Sequence, residues 1–243
     1  MEAKKIYKNP PLVEAVFELF YSSSSWSPII PGMFFNEVRN RFPNITQNQG
    51  GFGIAFDNKG LKIGSGNGDL TQFKNANNDT IIQLSGNLLT VNKLPIYNGW
   101  DSFLEVISFA IDALKRVVKI DRVDRIGLKT INKVDIKGHS LEQLKKYFTI
   151  YPNLPLGVNS NLSSIQINLE SPLIEKVEIL AISLVTLRKE PNYEAPVMFQ
   201  LYLTRVAEIP EDFIDWLMKS HKILSETFEN SLTEYCKNQF DNV

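Results

Sequence analysis

Arg125, Lys129 and Lys133 stand four residues apart, and Lys137 follows. The segment around them alternates, so a strand puts these cations on one face with Ile131 and Asp135. Ile126, Leu128, Thr130, Val134 and Ile136 share the other face. A basic column of this kind can contact successive phosphates, although the aromatic residues of a single-strand-binding surface are missing from this strand. An earlier segment, residues 12–21, alternates in the same way. Val13, Ala15, Phe17, Leu19 and Tyr21 form one face, and Glu14 and Glu18 point to the other. If the two segments pair, Glu14 and Glu18 face Arg125 and Lys129. Cross-strand ion pairs of roughly 0.2–1 kcal/mol each would then neutralise the column.

The remaining reactive side chains form no recognisable constellation. His221 falls on an apolar helical stripe between Leu217 and Leu224 and reads as a structural histidine. His139 precedes a capping serine in a loop. One cysteine and two distant histidines supply no ligand pair at zinc spacing. A carboxylate site for magnesium stays open, because Asp and Glu are plentiful. The tightest acidic pair opening a strand, Asp121 and Asp124, suits turn chemistry with flanking ion pairs. Gly64-Ser-Gly-Asn-Gly68 lacks both the Lys-Ser/Thr of a P-loop and a following helix, so it reads as a flexible turn. Cys236 reads as a packed thiol. No catalytic residue, metal site or cofactor is expected.

Composition bounds the rest. The 243 residues carry 26 basic and 27 acidic side chains, a formal net charge of −1. A near-neutral chain has no global field drawing it to nucleic acid or anionic membrane. A single cysteine excludes an internal disulfide framework and fits a reducing compartment. The first residues lead into Pro10-Pro11 without an apolar signal core, and the most apolar stretch, 100–118, is interrupted by five charges. The expected location is cytoplasmic, without membrane insertion.

The elements that must position these residues run in an order that repeats. In the first half a strand at 12–21 precedes a short helix after Pro31-Gly32. An Asn- and Gly-rich stretch at 44–69, with a candidate hairpin around Gly60, leads to a meander at 70–74, 80–84 and 88–93. Residues 99–118 then form a long amphipathic helix that Asn98 would cap. In the second half the strand 123–136 precedes a helix whose capping box is Ser140-Leu-Glu-Gln143. A Pro/Gly/Asn loop at 151–160 and strands at 164–170, 176–189 and 197–206 follow. A helix over 210–240 begins at Pro210.

The order predicts an α+β fold. Two halves, 1–120 and 121–243, share one curved, mainly antiparallel sheet with two long helices on one face. The arrangement is similar to a doubled TATA-binding-protein-like or helix-grip unit. Its other face is expected to be an open polar surface bearing Glu14, Glu18, Gln83, Asn92, Arg125, Lys129, Lys133, Gln166, Asn168, Gln200 and Tyr202.

Asn9-Pro-Pro-Leu-Val-Glu-Ala-Val-Phe-Glu18, Leu84-Ser-Gly-Asn-Leu-Leu-Thr-Val-Asn92, Trp100, Arg125-Ile-Gly-Leu-Lys-Thr-Ile-Asn132 and the His221…Phe228…Thr233 helix resemble a sporadically distributed family of uncharacterised prokaryotic proteins. The resemblance covers essentially the whole chain. It departs from the family at Lys129-Thr130, where Arg-Tyr is more common. Patchy occurrence implies an accessory or defence-type setting and transfers no activity. The functional expectation is a non-enzymatic binding or adaptor protein, with Glu14, Glu18, Arg125, Lys129, Lys133 and Tyr202 on its binding face. Its partner is a protein or small ligand, and its oligomeric state is open. The alternatives are nucleic-acid binding or processing through strand 125–137, and an enzyme using a carboxylate site or His221.

Overall fold

Alternation in Leu12–Ser22 builds β1, whose odd-numbered residues Ala15, Phe17, Leu19 and Tyr21 are buried. A computed structural model describes residues 7–49, 53–57, 60–64, 69–138, 140–186, 195–210 and 212–241. After β1 come α1 (Ile30–Val38), β2 (Asn44–Gln49), β3 (Gly53–Asp57), β4 (Gly60–Gly64), β5 (Asp69–Lys74), β6 (Thr80–Ser85), β7 (Leu88–Lys93) and α2 (Trp100–Val117). The chain continues through β8 (Arg122–Ile136), α3 (Leu141–Tyr147), β9 (Gln166–Ile174), β10 (Glu178–Thr186), β11 (Ala195–Arg205), α4 (Ile214–Ser231) and α5 (Glu234–Asp241).

Nine strands form one open sheet in the order β2-β5-β6-β7-β1-β8-β11-β10-β9, and β3 and β4 form a separate hairpin. Every pairing in the sheet is antiparallel. The two strands expected to pair, β1 and β8, do so at its middle.

The core lies between one sheet face and the helices. Phe17 stacks on Phe213 with ring centroids 6.0 Å apart, Phe199 stacks on Phe228 at 6.0 Å, and Phe34 meets Phe73 at 5.0 Å. Such aromatic pairs contribute about 0.5–1.5 kcal/mol each beyond their area. On α2, Phe103, Ile107, Ala110, Ile111 and Leu114 recur at helical spacing and are buried. Trp100 opens that helix and stacks on His221 with centroids 4.2 Å apart and planes within 8°. His221 is half-buried there, in the packing role its place on the stripe suggested. No helix among the described residues is long and apolar enough to cross a membrane.

Several local expectations are corrected. The final helix is two helices. Leu232 adopts an extended conformation and bridges Phe148, and the Thr233 hydroxyl accepts the Cys236 N–H at 3.2 Å, opening α5. The helix starts at Ile214, not Pro210, and Asp212 accepts the Ile214 N–H at 3.0 Å. Residue Gly99, not Asn98, occupies the cap position of α2, with φ +98° and no side-chain cap. Within the supposed irregular stretch, Asn44–Gln49 is an edge strand held by its ladder to β5. The capping box stands, with the Ser140 hydroxyl accepting the Gln143 N–H at 3.1 Å. His139 and residues 65–68 of the glycine-rich motif lie outside the described residues.

Candidate binding face

The face turned away from the helices carries the expected polar residues, because strand alternation places them there. It is less open than its sequence suggests. Glu14 is 2% exposed, Gln83 1% and Asn92 5%. A chain of side-chain hydrogen bonds runs through them across four strands. Gln72 Nε2 donates to Gln83 Oε1 at 3.4 Å, and Gln83 Nε2 to Asn92 Oδ1 at 2.9 Å. Thr90 also donates to Asn92 Oδ1 at 2.7 Å, and Asn92 Nδ2 donates to Glu14 Oε1 at 2.7 Å. Buried amides satisfy one another here, as buried polar groups must. The first-half side of the face is therefore closed.

Glu14 Oε2 ends this chain without a hydrogen-bond partner among the described residues. Burial pushes the Glu14 carboxyl above its ordinary range. The Asn92 hydrogen bond and the Lys129 charge pull it back down, and Glu18 adds to the rise. Desolvation outweighs the favourable contacts because the charged form loses its water.

The centre of the face is a cluster of Glu18, Lys129, Tyr202 and Gly127. Lys129 Nζ lies 3.1 Å from Glu18 Oε1, and the Tyr202 hydroxyl donates to Glu18 Oε2. Lys129 Nζ also sits 4.5 Å above the Tyr202 ring. Burial and the neighbouring Glu18 charge raise the Tyr202 hydroxyl far above the usual phenol range. Gly127 lies opposite Glu18 on one side and Thr204 on the other. A Cβ there would stand 2.7 Å from Tyr202 Cε2 and 2.9 Å from its hydroxyl oxygen. The missing side chain lets the tyrosine cross β8 to reach Glu18. Its sequence signal was an isolated glycine inside a strand, which marks close approach of another group.

Half of the proposed ion pairing is found. Lys129 pairs with Glu18, but Arg125 pairs with neither glutamate. The register sets Glu14 opposite Ile131 and Arg125 opposite Phe20. Those rungs are six residues apart, about 20 Å at ~3.4 Å per residue. Arg125 instead stacks its guanidinium 3.9 Å from the Phe20 ring centroid, a contact the sequence reading missed. Its Nε is buried without a hydrogen-bond partner among the described residues. Lys133 lies 3.4 Å from Asp135 and keeps 46% of its side chain exposed. The accessible part of the face thus runs from Lys129 and Lys133 outward over Gln200, Ser183 and Asn168, with Ser183 donating to Asn168 Oδ1 at 2.7 Å.

Polar clusters off this face are structural. Glu178, nearly buried, accepts from Arg205 at 2.6 Å and from Trp216 Nε1 at 2.9 Å. Asp79 accepts from Lys93 at 2.8 Å, Thr80 at 2.8 Å and Asn75 at 2.9 Å. Asp121 accepts the Ser24 N–H at 2.6 Å, and Arg122 pairs with Asp124 at 2.5 Å, the turn role expected of this pair. Cys236 is fully buried, and burial pushes its thiol up to about 12. Among the described residues no three His, Cys, Asp or Glu side chains converge as metal ligands. A concavity of about 880 Å³ lies elsewhere, among residues 120–124, 206–210 and 213.

No protein-family model matches the chain. No curated protein matches it either.

Proposed function

We propose that this chain is a non-enzymatic binding or adaptor protein whose contact surface is the exposed side of this face, around Lys129, Lys133, Gln200 and Tyr202. The observation that carries the reading is the Glu18–Lys129–Tyr202 cluster over Gly127. It holds long polar side chains flat and fixed on a rigid sheet, where a partner meets them without ordering them first. Glu14 belongs to the closed side and acts as internal support. Pairing of Lys129 with Glu18 and of Lys133 with Asp135 counts against the alternative of nucleic-acid binding.

The two halves, 1–120 and 121–243, are read as a duplication similar to a TATA-binding-protein-like or helix-grip unit. What supports this is the strand order. β7 and β11, β6 and β10, and β5 and β9 lie at matching distances from the central β1–β8 pair. The family resemblance adds an accessory or defence-type prokaryotic setting.

The test is affinity capture from the native source with the wild-type chain, a Lys133→Glu/Gln200→Arg variant and a Lys222→Glu control on the exposed flank of α4. Wild type and control retain one shared partner, and the face variant loses it. Identical capture by all three, or turnover of a substrate by the chain alone, defeats the reading. Binding to DNA or RNA that falls steeply with salt would favour the alternative instead.

A further inference from the structure

The two edges of the sheet are unlike. Edge strand β2 is the six-residue, mostly polar segment Asn44–Gln49, with Ile45 44% exposed. Edge strand β9 spans nine residues, Gln166–Ile174, and leaves Leu169, Leu173 and Ile174 between 42% and 48% exposed.

Backbone hydrogen bonds tell which way the groups of β9 point. The Thr186 N–H bonds the Ile165 carbonyl at 2.9 Å, and the ladder pairs Leu184 with Ile167, Ile182 with Leu169 and Leu180 with Ser171. On the far side of β10, the Val206 N–H bonds the Val177 carbonyl at 2.9 Å. Antiparallel ladders alternate hydrogen-bonded and non-hydrogen-bonded pairs. The two bonds therefore agree that even-numbered residues of β10 bond to β9 and odd-numbered ones to β11. It follows that Gln166, Asn168, Glu170 and Pro172 of β9 turn their backbone groups outward, away from the sheet. Pro172, which has no N–H, sits where a ladder donor is not needed.

From this we infer that β9 pairs with β9 of a second copy of this chain, antiparallel about a two-fold axis at Asn168. That register uses every outward N–H from Gln166 to Glu170 and leaves Pro172 beyond the bonded rungs. The chemistry of the strand complements itself there. On the helix side, Ile167 meets Leu169 of the second copy. On the other side, Gln166 meets Glu170, and Asn168 meets its own counterpart. No like charges oppose one another, and the exposed Leu169 is covered. An exposed edge with apolar side chains is otherwise an aggregation liability. The proposal stands apart from the proposed partner binding, because the residues named for that contact, Lys129, Lys133, Gln200 and Tyr202, lie on β8 and β11.

Sedimentation and light scattering test it on the full chain. The expected wild-type mass is twice the 27.7 kDa of one chain. Asn168→Pro, which removes an outward N–H and spares the β9–β10 ladder, is expected to halve that mass. Hydrogen exchange on the wild type gives a second, mutation-free readout. The amides of Gln166, Asn168 and Glu170 should be protected in concentrated solution and exchange freely on dilution. A wild-type chain that stays monomeric overturns the inference, and so do a folded Asn168→Pro chain that stays dimeric and free exchange of those three amides at every concentration. If Asn168→Pro does not fold, the exchange result decides.

Discussion

Gly127→Ala isolates the tyrosine crossing at the centre of the sheet. Gly127 is not among the residues with positive φ, so alanine meets no backbone penalty there. The cost is steric. The new Cβ would stand 2.7 Å from Tyr202 Cε2, and Tyr202, the side chain in contact, must yield. Yielding breaks its hydrogen bond to Glu18, and a bond to a charged group contributes about 1.5–3 kcal/mol. Replacing glycine offsets about 0.4–1 kcal/mol of this through the unfolded chain. The net loss is about 0.5–2.6 kcal/mol, a fall in melting temperature of about 1–10 °C for a chain of this size. Urea denaturation of a double-mutant cycle with Tyr202→Ala measures it. In the Tyr202→Ala background, Gly127→Ala should be neutral or slightly stabilising, since nothing remains to clash. The reasoning is refuted if Gly127→Ala is harmless alone, or if its cost persists when the ring is gone.

Other outcomes follow from the same geometry. The folded-state pKa of Glu14 is raised, so the folded state holds its proton longer than the unfolded chain does. Its contribution is favourable below the unfolded-chain pKa and is lost as pH rises through the folded value. Glu14→Gln should therefore gain stability relative to wild type at pH 8 and lose that advantage near pH 4, as urea melts at the two pH values will report. Arg205→Met strands the nearly buried Glu178 and should cost about 3–5 kcal/mol, while the Glu178→Met/Arg205→Met double variant recovers most of it in chemical denaturation. Thr233→Ala removes the hydroxyl that opens α5 and should cost about 1 kcal/mol by thermal melting. Cys236, fully buried with its thiol pushed up to about 12, should resist a thiol reagent at pH 8 in the native chain and react at once in denaturant.

The readability of this chain differs by element. β1 and β8 could be placed from sequence because each alternates over ten or more residues, with charges on one face and apolar groups on the other. α2 showed its boundaries within a residue, since eight buried side chains recur at helical spacing. β2 did not show, because Asn44–Gln49 has no alternation and is a strand only through its ladder to β5. The break between α4 and α5 was hidden because the apolar stripe runs on past Leu232. Only the bridge to Phe148, more than eighty residues away, turns the backbone there.

For the candidate face the division falls at register. Period-two alternation is local, so the sequence by itself determined that Glu14, Glu18, Arg125, Lys129, Lys133 and Tyr202 share a side of one sheet. Which of them touch depends on how far one strand slides along the next, and no residue's own neighbours encode that. The tertiary structure decided that Lys129 meets Glu18 while Arg125 lies about 20 Å from the rung of Glu14. It also decided that Tyr202 reaches across Gly127 and that Glu14 is closed in rather than open. Ladder hydrogen bonds and the packing of long side chains across strands set those outcomes, and both act between residues that are distant in the chain.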